Sequence, residues 1–157
     1  MKQRRLFAAL LLAALLALAL AGPASAAKLG GADQGGRLFT TTLSGAEEVN
    51  PTTGDLGAGD PDGTGFAAVT INPGQGIVCY ELSVSGIAPA TGAHIHEAPP
   101  GEVGDIVVGL QPPSDGSSSD CIPISRDLAK DILQNPSDYY VNVHNDEYPG
   151  GALRGQL

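Results

Sequence analysis

Phe66-Ala67-Ala68-Val69-Thr70-Ile71, then Asn72-Pro73-Gly74-Gln75-Gly76, then Ile77-Val78-Cys79-Tyr80-Glu81-Leu82-Ser83-Val84 is the stretch on which the fold turns. Two runs rich in β-branched residues flank five turn-forming ones, the pattern of a β-hairpin. In the second run Val78, Tyr80, Leu82 and Val84 fall on one face, and Cys79, Glu81 and Ser83 fall on the other. That period of two marks a half-buried strand.

The same signal recurs along the chain. Strands are expected over 38–43, 66–71, 77–84, 93–96, 105–110, 139–144 and 152–157, with a long loop over 50–65 and Pro-, Gly- and Ser-rich connections elsewhere, including one through Ser117-Ser118-Ser119. One short helix fits the remainder. Ser125 is its N-cap, Leu128, Ala129, Ile132 and Leu133 supply i,i+4 apolar pairs, and Pro136 stops it. Parallel strands would need a crossover helix for nearly every pair, so the expected fold is an all-β antiparallel sandwich or barrel.

The first 26 residues stand apart. Met1 to Arg5 is a basic n-region, Leu6 to Ala21 is an unbroken apolar run, and Ala24-Ser25-Ala26 is an A-x-A cleavage site, so 1–26 reads as a signal peptide. The run is short of the ~20 residues a spanning helix needs, so no membrane span is expected after cleavage. Residues 27–36 are small and Gly-rich, a flexible leader, and the domain is expected over 37–157. The destination is outside the inner membrane, periplasmic or extracellular.

The chain of 157 residues carries 8 bases and 17 acids, a formal charge of -9. Lys2, Arg4 and Arg5 leave with the signal peptide, so the mature part holds 5 bases against 17 acids, a net of -12. A general nucleic-acid binder is excluded, because no excess of cations exists to displace counterions from phosphate. Cys79 and Cys121, the only two cysteines, are expected to form one disulfide in an exported chain. With a sequence separation of 42, the loop-entropy model gives about 4 kcal/mol of stabilisation.

All three histidines lie in two strand candidates, Ala93-His94-Ile95-His96 and Val141-Asn142-Val143-His144. Alternation sends Ala93, Ile95, Val141 and Val143 to the core, and His94, His96, Asn142 and His144 to the opposite face. If Val143 pairs with Leu153 across the last turn, Asn142 faces Arg154 and Tyr140 faces Gln156. A slip of one residue would put Arg154 in the core, which favours this register. Should the two strands be neighbours, His94, His96 and His144 converge, and a three-imidazole set suits Zn or Cu. The competing reading is a hydrogen-bonded network linking the imidazoles to Asn142, Arg154 and acids such as Glu97 and Glu102.

Other constellations are weaker. Asp60-Pro61-Asp62-Gly63 has oxygen ligands at calcium-loop spacing but lacks the downstream Glu, and its dipeptides are ordinary turn formers. No G-x-S-x-G, glycine-rich phosphate loop or nucleophile with a patterned base is visible, so an enzyme is the less favoured class.

Leu43-Ser44-Gly45-Ala46-Glu47-Glu48-Val49 with Pro51, Ala93-His94-Ile95-His96 with Gly101 and Gly104, Tyr140-Val141-Asn142-Val143-His144, and Pro149-Gly150-Gly151-Ala152-Leu153-Arg154-Gly155-Gln156-Leu157 together resemble the chordin-type (CHRD) domain. The resemblance covers about 37–157. It implies an extracellular β-sandwich of the kind found in bacterial exported proteins and in animal chordin, and with the strand and helix pattern the expected form is immunoglobulin-like or Cu/Zn superoxide dismutase-like with one short helix. Chordin's growth-factor binding is associated mainly with separate cysteine-rich repeats, which this chain lacks. The His-x-His strand is also similar to that of copper-zinc superoxide dismutases, although three histidines do not supply two metals. The resemblance supplies no reaction. Together with the signal peptide, the expected disulfide and the lack of a catalytic constellation, it leads to the expectation of a non-enzymatic extracellular binding or structural module with an unidentified ligand or protein partner. The histidines add the alternative of a Cu- or Zn-binding, redox-active β-protein.

Overall fold

A computed structural model describes residues 35–157. The expected signal peptide, 1–26, and most of the expected leader, 27–36, lie outside the described residues. Eight strands follow in chain order: β1 Arg37–Ser44, β2 Thr64–Asn72, β3 Ile77–Ser85, β4 Ala90–Glu97, β5 Asp105–Leu110, β6 Ser117–Pro123, β7 Tyr139–Asn145 and β8 Leu153–Gln156. One helix, α1 Arg126–Gln134, lies between β6 and β7.

The strands form one antiparallel sheet in the order β5-β4-β7-β8-β1-β2-β3-β6. It curls into a nearly closed barrel. At the seam no ladder joins β5 to β6, but Gln111, the residue after β5, bridges the two edges. Its N–H donates to the Tyr80 hydroxyl at 2.7 Å and its carbonyl accepts from the Ser118 hydroxyl at 2.7 Å.

The core is what alternation predicts. Val69 and Ile71 of β2, Val78 and Tyr80 of β3, Ala93 and Ile95 of β4, and Val141 and Val143 of β7 are all sealed from solvent. Burying one such side chain is worth roughly 1.5–3 kcal/mol, so the barrel interior carries most of the stability. Helix α1 closes the core with Ala129 and Ile132. Its start is as expected, with the Ser125 hydroxyl accepting from Leu128 N–H at 3.0 Å, and Asn135 and Pro136 follow its last turn.

One expectation is overturned. Ser117-Ser118-Ser119 is not a loop but the first half of β6, paired with β3 from Ser83↔Ser117 to Ile77↔Pro123. A serine run has little strand propensity of its own. It is extended here because β3 offers a free ladder and because Cys79 and Cys121, directly opposite in the register, are joined as a disulfide. The described domain thus has eight strands rather than seven.

Candidate metal centre

Strand order decides whether the histidines meet, and β4 does lie beside β7. The register sets Gly92 against His144, His94 against Asn142, and His96 against Tyr140. On the other side of β7, β8 sets Arg154 against Asn142 and Gln156 against Tyr140, the pairing expected from the sequence. Three strands thus carry one polar grid on the outer face of the barrel, with Asn142 at its centre.

This face is not left to solvent. Residues 98–104 fold back over it from the β4–β5 connection, 146–152 from the β7–β8 connection, and Glu48 reaches it from the long β1–β2 loop. His96, Asn142, Arg154 and Glu48 are buried as a result, and His94 and His144 are half-buried. Glycines make the covering possible. A Cβ on Gly104 would lie 1.8 Å from the Glu97 carbonyl oxygen, and one on Gly151, whose φ is +143°, would lie 2.4 Å from Glu48 Oε2.

The three imidazoles converge. Ring centroids of His94 and His144 are 5.1 Å apart, those of His94 and His96 5.6 Å, and those of His96 and His144 6.1 Å. One ring nitrogen from each lies within 4.8 Å of the others. His96 Nδ1 is bonded to the Gly104 carbonyl at 3.0 Å and His144 Nδ1 to the Pro149 carbonyl at 3.1 Å. A carbonyl only accepts, so both Nδ1 atoms carry the proton and both Nε2 atoms hold a lone pair. Those Nε2 atoms and His94 Nδ1 are buried and have no hydrogen-bond partner.

Electrostatics keeps the rings in the ligand form. Burial pushes the pKa of all three histidines down; for His94 the neighbouring His144 and His96 add to it. At neutral pH they are uncharged, which metal binding requires. In a tetrahedral site with bonds of about 2.0–2.1 Å the nitrogens would sit roughly 3.3 Å apart, so holding an ion there would require side-chain rotation that brings the rings together from separations of up to 4.8 Å.

The network reading of the histidines is corrected. His96 and His144 bond main-chain carbonyls, not Asn142, Arg154, Glu97 or Glu102 side chains. Asn142 instead donates to Glu48 Oε2 at 3.2 Å, and Arg154 donates to the main-chain carbonyls of Glu102 and Pro99. Glu48 was not among the residues singled out for the site. It lies 94 positions from Asn142 in a segment without periodicity, and the signal that could have found it is an acid preceding Val49 inside the first shared motif. Desolvation lifts its carboxyl to about 7, against the pull of Arg154 and the Asn142 bond. At the calcium-like turn, Asp60 Oδ1 accepts from Asp62 N–H at 3.1 Å, an ordinary Asx turn.

An antiparallel barrel with one helix, one cross-strand disulfide and a roofed histidine face defines a small all-β module, and among the described residues no helix is long and apolar enough to cross a membrane. The family model of the CHRD domain matches residues 39–157, and the chain belongs to that family. Membership supports an extracellular module in general. No curated protein and no solved structure matches the chain.

Proposed function

We propose that this protein is an exported CHRD-domain module that binds a single Zn or Cu ion through His94 Nδ1, His96 Nε2 and His144 Nε2. One observation carries the reading: a ring nitrogen from each of the three histidines lies within 4.8 Å of the others, and each ring has one buried nitrogen without a hydrogen-bond partner. A buried nitrogen lone pair without a donor costs on the order of 1–3 kcal/mol, and three at one point are best accounted for by a shared cation. All-nitrogen ligation favours Zn or Cu over Ca or Mg, which prefer oxygen. The role is binding or structural rather than turnover, since the Nδ1 atoms of His96 and His144 are bonded to main-chain carbonyls and not to a nucleophile.

Titration calorimetry with Zn²⁺ and Cu²⁺ on the wild type, His94→Ala and His144→Ala tests this at neutral pH. One equivalent is expected for the wild type, with affinity reduced at least 100-fold in either variant. Equal binding by all three proteins would sink the proposal. A substrate turned over by the wild type and not by His144→Ala would sink its non-enzymatic part.

A further inference from the structure

Arg154 is a buried cation, 2% exposed, with an unusual set of partners. One guanidinium nitrogen donates to the Glu102 carbonyl at 2.7 Å, and the other to the Pro99 carbonyl at 3.2 Å and to Gln156 Oε1 at 3.3 Å. Its planar group lies over the Tyr140 ring, 3.5 Å from the centroid. Tyr140 in turn stacks on His96, with centroids 4.8 Å apart and planes 6° from parallel. Because β7 lies between β4 and β8, His96 and Arg154 approach Tyr140 from the two flanking strands.

The contacts converge on one segment. Residues 98–104 are tied down at the Ala98 carbonyl by Gln156, at the Pro99 and Glu102 carbonyls by Arg154, and at the Gly104 N–H by the Tyr140 hydroxyl. The far end of the same segment supplies the Gly104 carbonyl that takes the proton of His96 Nδ1. We infer that Arg154 is a positioning residue for the histidine cluster: by clamping residues 98–104 it fixes the Gly104 carbonyl, and so holds His96 in the tautomer and orientation that turn Nε2 toward His94 and His144. Lysine would not replace it, since its compact ammonium lacks the planar fork that bonds two carbonyls while lying flat on a ring. Groups that orient a ligand's second nitrogen commonly change metal affinity by 10–100-fold.

This inference rests on the metal reading for its affinity, but the tautomer can be read without metal. Long-range ¹H–¹⁵N spectra of the metal-free protein at pH 7.5 report which nitrogen of His96 carries the proton, and Zn²⁺ titration of the same samples gives affinity. The wild type should show the Nδ1–H form. Arg154→Lys should remain folded, lose that single tautomer for a mixture, and bind Zn²⁺ 10–100-fold more weakly. Tyr139→Phe, which removes the hydrogen bond from this β7 hydroxyl to Asp131 of helix α1, should alter neither readout, which separates positioning from general loss of stability. A pure Nδ1–H tautomer in Arg154→Lys with affinity within twofold of wild type would overturn the inference. If Arg154→Lys does not fold, Arg154→Met, which keeps an unbranched side chain over Tyr140 but removes the bonds to the Pro99 and Glu102 carbonyls, decides the link: a mixed tautomer supports it and an unchanged one overturns it. A wild type that binds no Zn²⁺ defeats the metal reading, while the tautomer comparison still decides the role of Arg154.

Discussion

Glu48 is buried between Asn142 and Gly151, 2% exposed, and desolvation raises its carboxyl to about 7. A carboxyl whose folded pKa lies above its unfolded value contributes most below the unfolded value, near 4.5, and that contribution is lost as pH rises through about 7. The histidines act in the opposite sense. Their pKa values are depressed, so their contribution is present above the unfolded value near 6.5 and is lost as pH falls below it. Urea unfolding of metal-free wild type and Glu48→Gln isolates the carboxyl. The wild type should lose up to about 3 kcal/mol relative to the variant between pH 4.5 and 7.5, whereas a constant difference would show that Glu48 is ionised throughout. At this scale the sequence was partly legible. Strand alternation placed His94, His96, Asn142, His144 and Arg154 on one face, because side-chain direction follows from position in a strand. Glu48 and the Gly104 and Pro149 carbonyls were not legible, because loops have no period and every residue has a carbonyl.

Among elements, the hairpins were readable and β6 was not. The β2–β3 and β7–β8 registers follow from putting apolar residues inward, and the observed Asn142↔Arg154 and Val143↔Leu153 pairs are the ones that logic selects. Strand β6 is mostly exposed and begins in serines, so its extension comes from a neighbour distant in sequence. Its dependence on that neighbour is measurable. Cys79→Ala/Cys121→Ala should lower stability by about 2–4 kcal/mol, with hydrogen exchange rising first in Ser117–Pro123, the edge strand. Uniform loss of protection across the barrel would show that β6 is not a separable edge. Helix α1 depends on its cap and on the Tyr139 hydroxyl, which donates to Asp131 at 2.5 Å. Ser125→Ala should cost about 1 kcal/mol in denaturant unfolding, with no change in metal affinity.

For the whole molecule, the acidity read from composition now has a definite relation to the histidine face. A chain with 17 acids attracts divalent cations to its surface without any specific site. Such binding is through oxygen and weakens with salt, because exposed charges separated by more than about 8 Å are screened at physiological ionic strength. Binding by three roofed imidazoles should persist in 0.5 M NaCl. The two modes also differ in the atoms around the ion, which makes their separation direct. X-ray absorption at the Zn edge of protein loaded with one equivalent, then dialysed, should show about three nitrogen neighbours near 2.0–2.1 Å with the outer-shell scattering of imidazole rings. A first shell of oxygen alone, without imidazole scattering, would contradict the account.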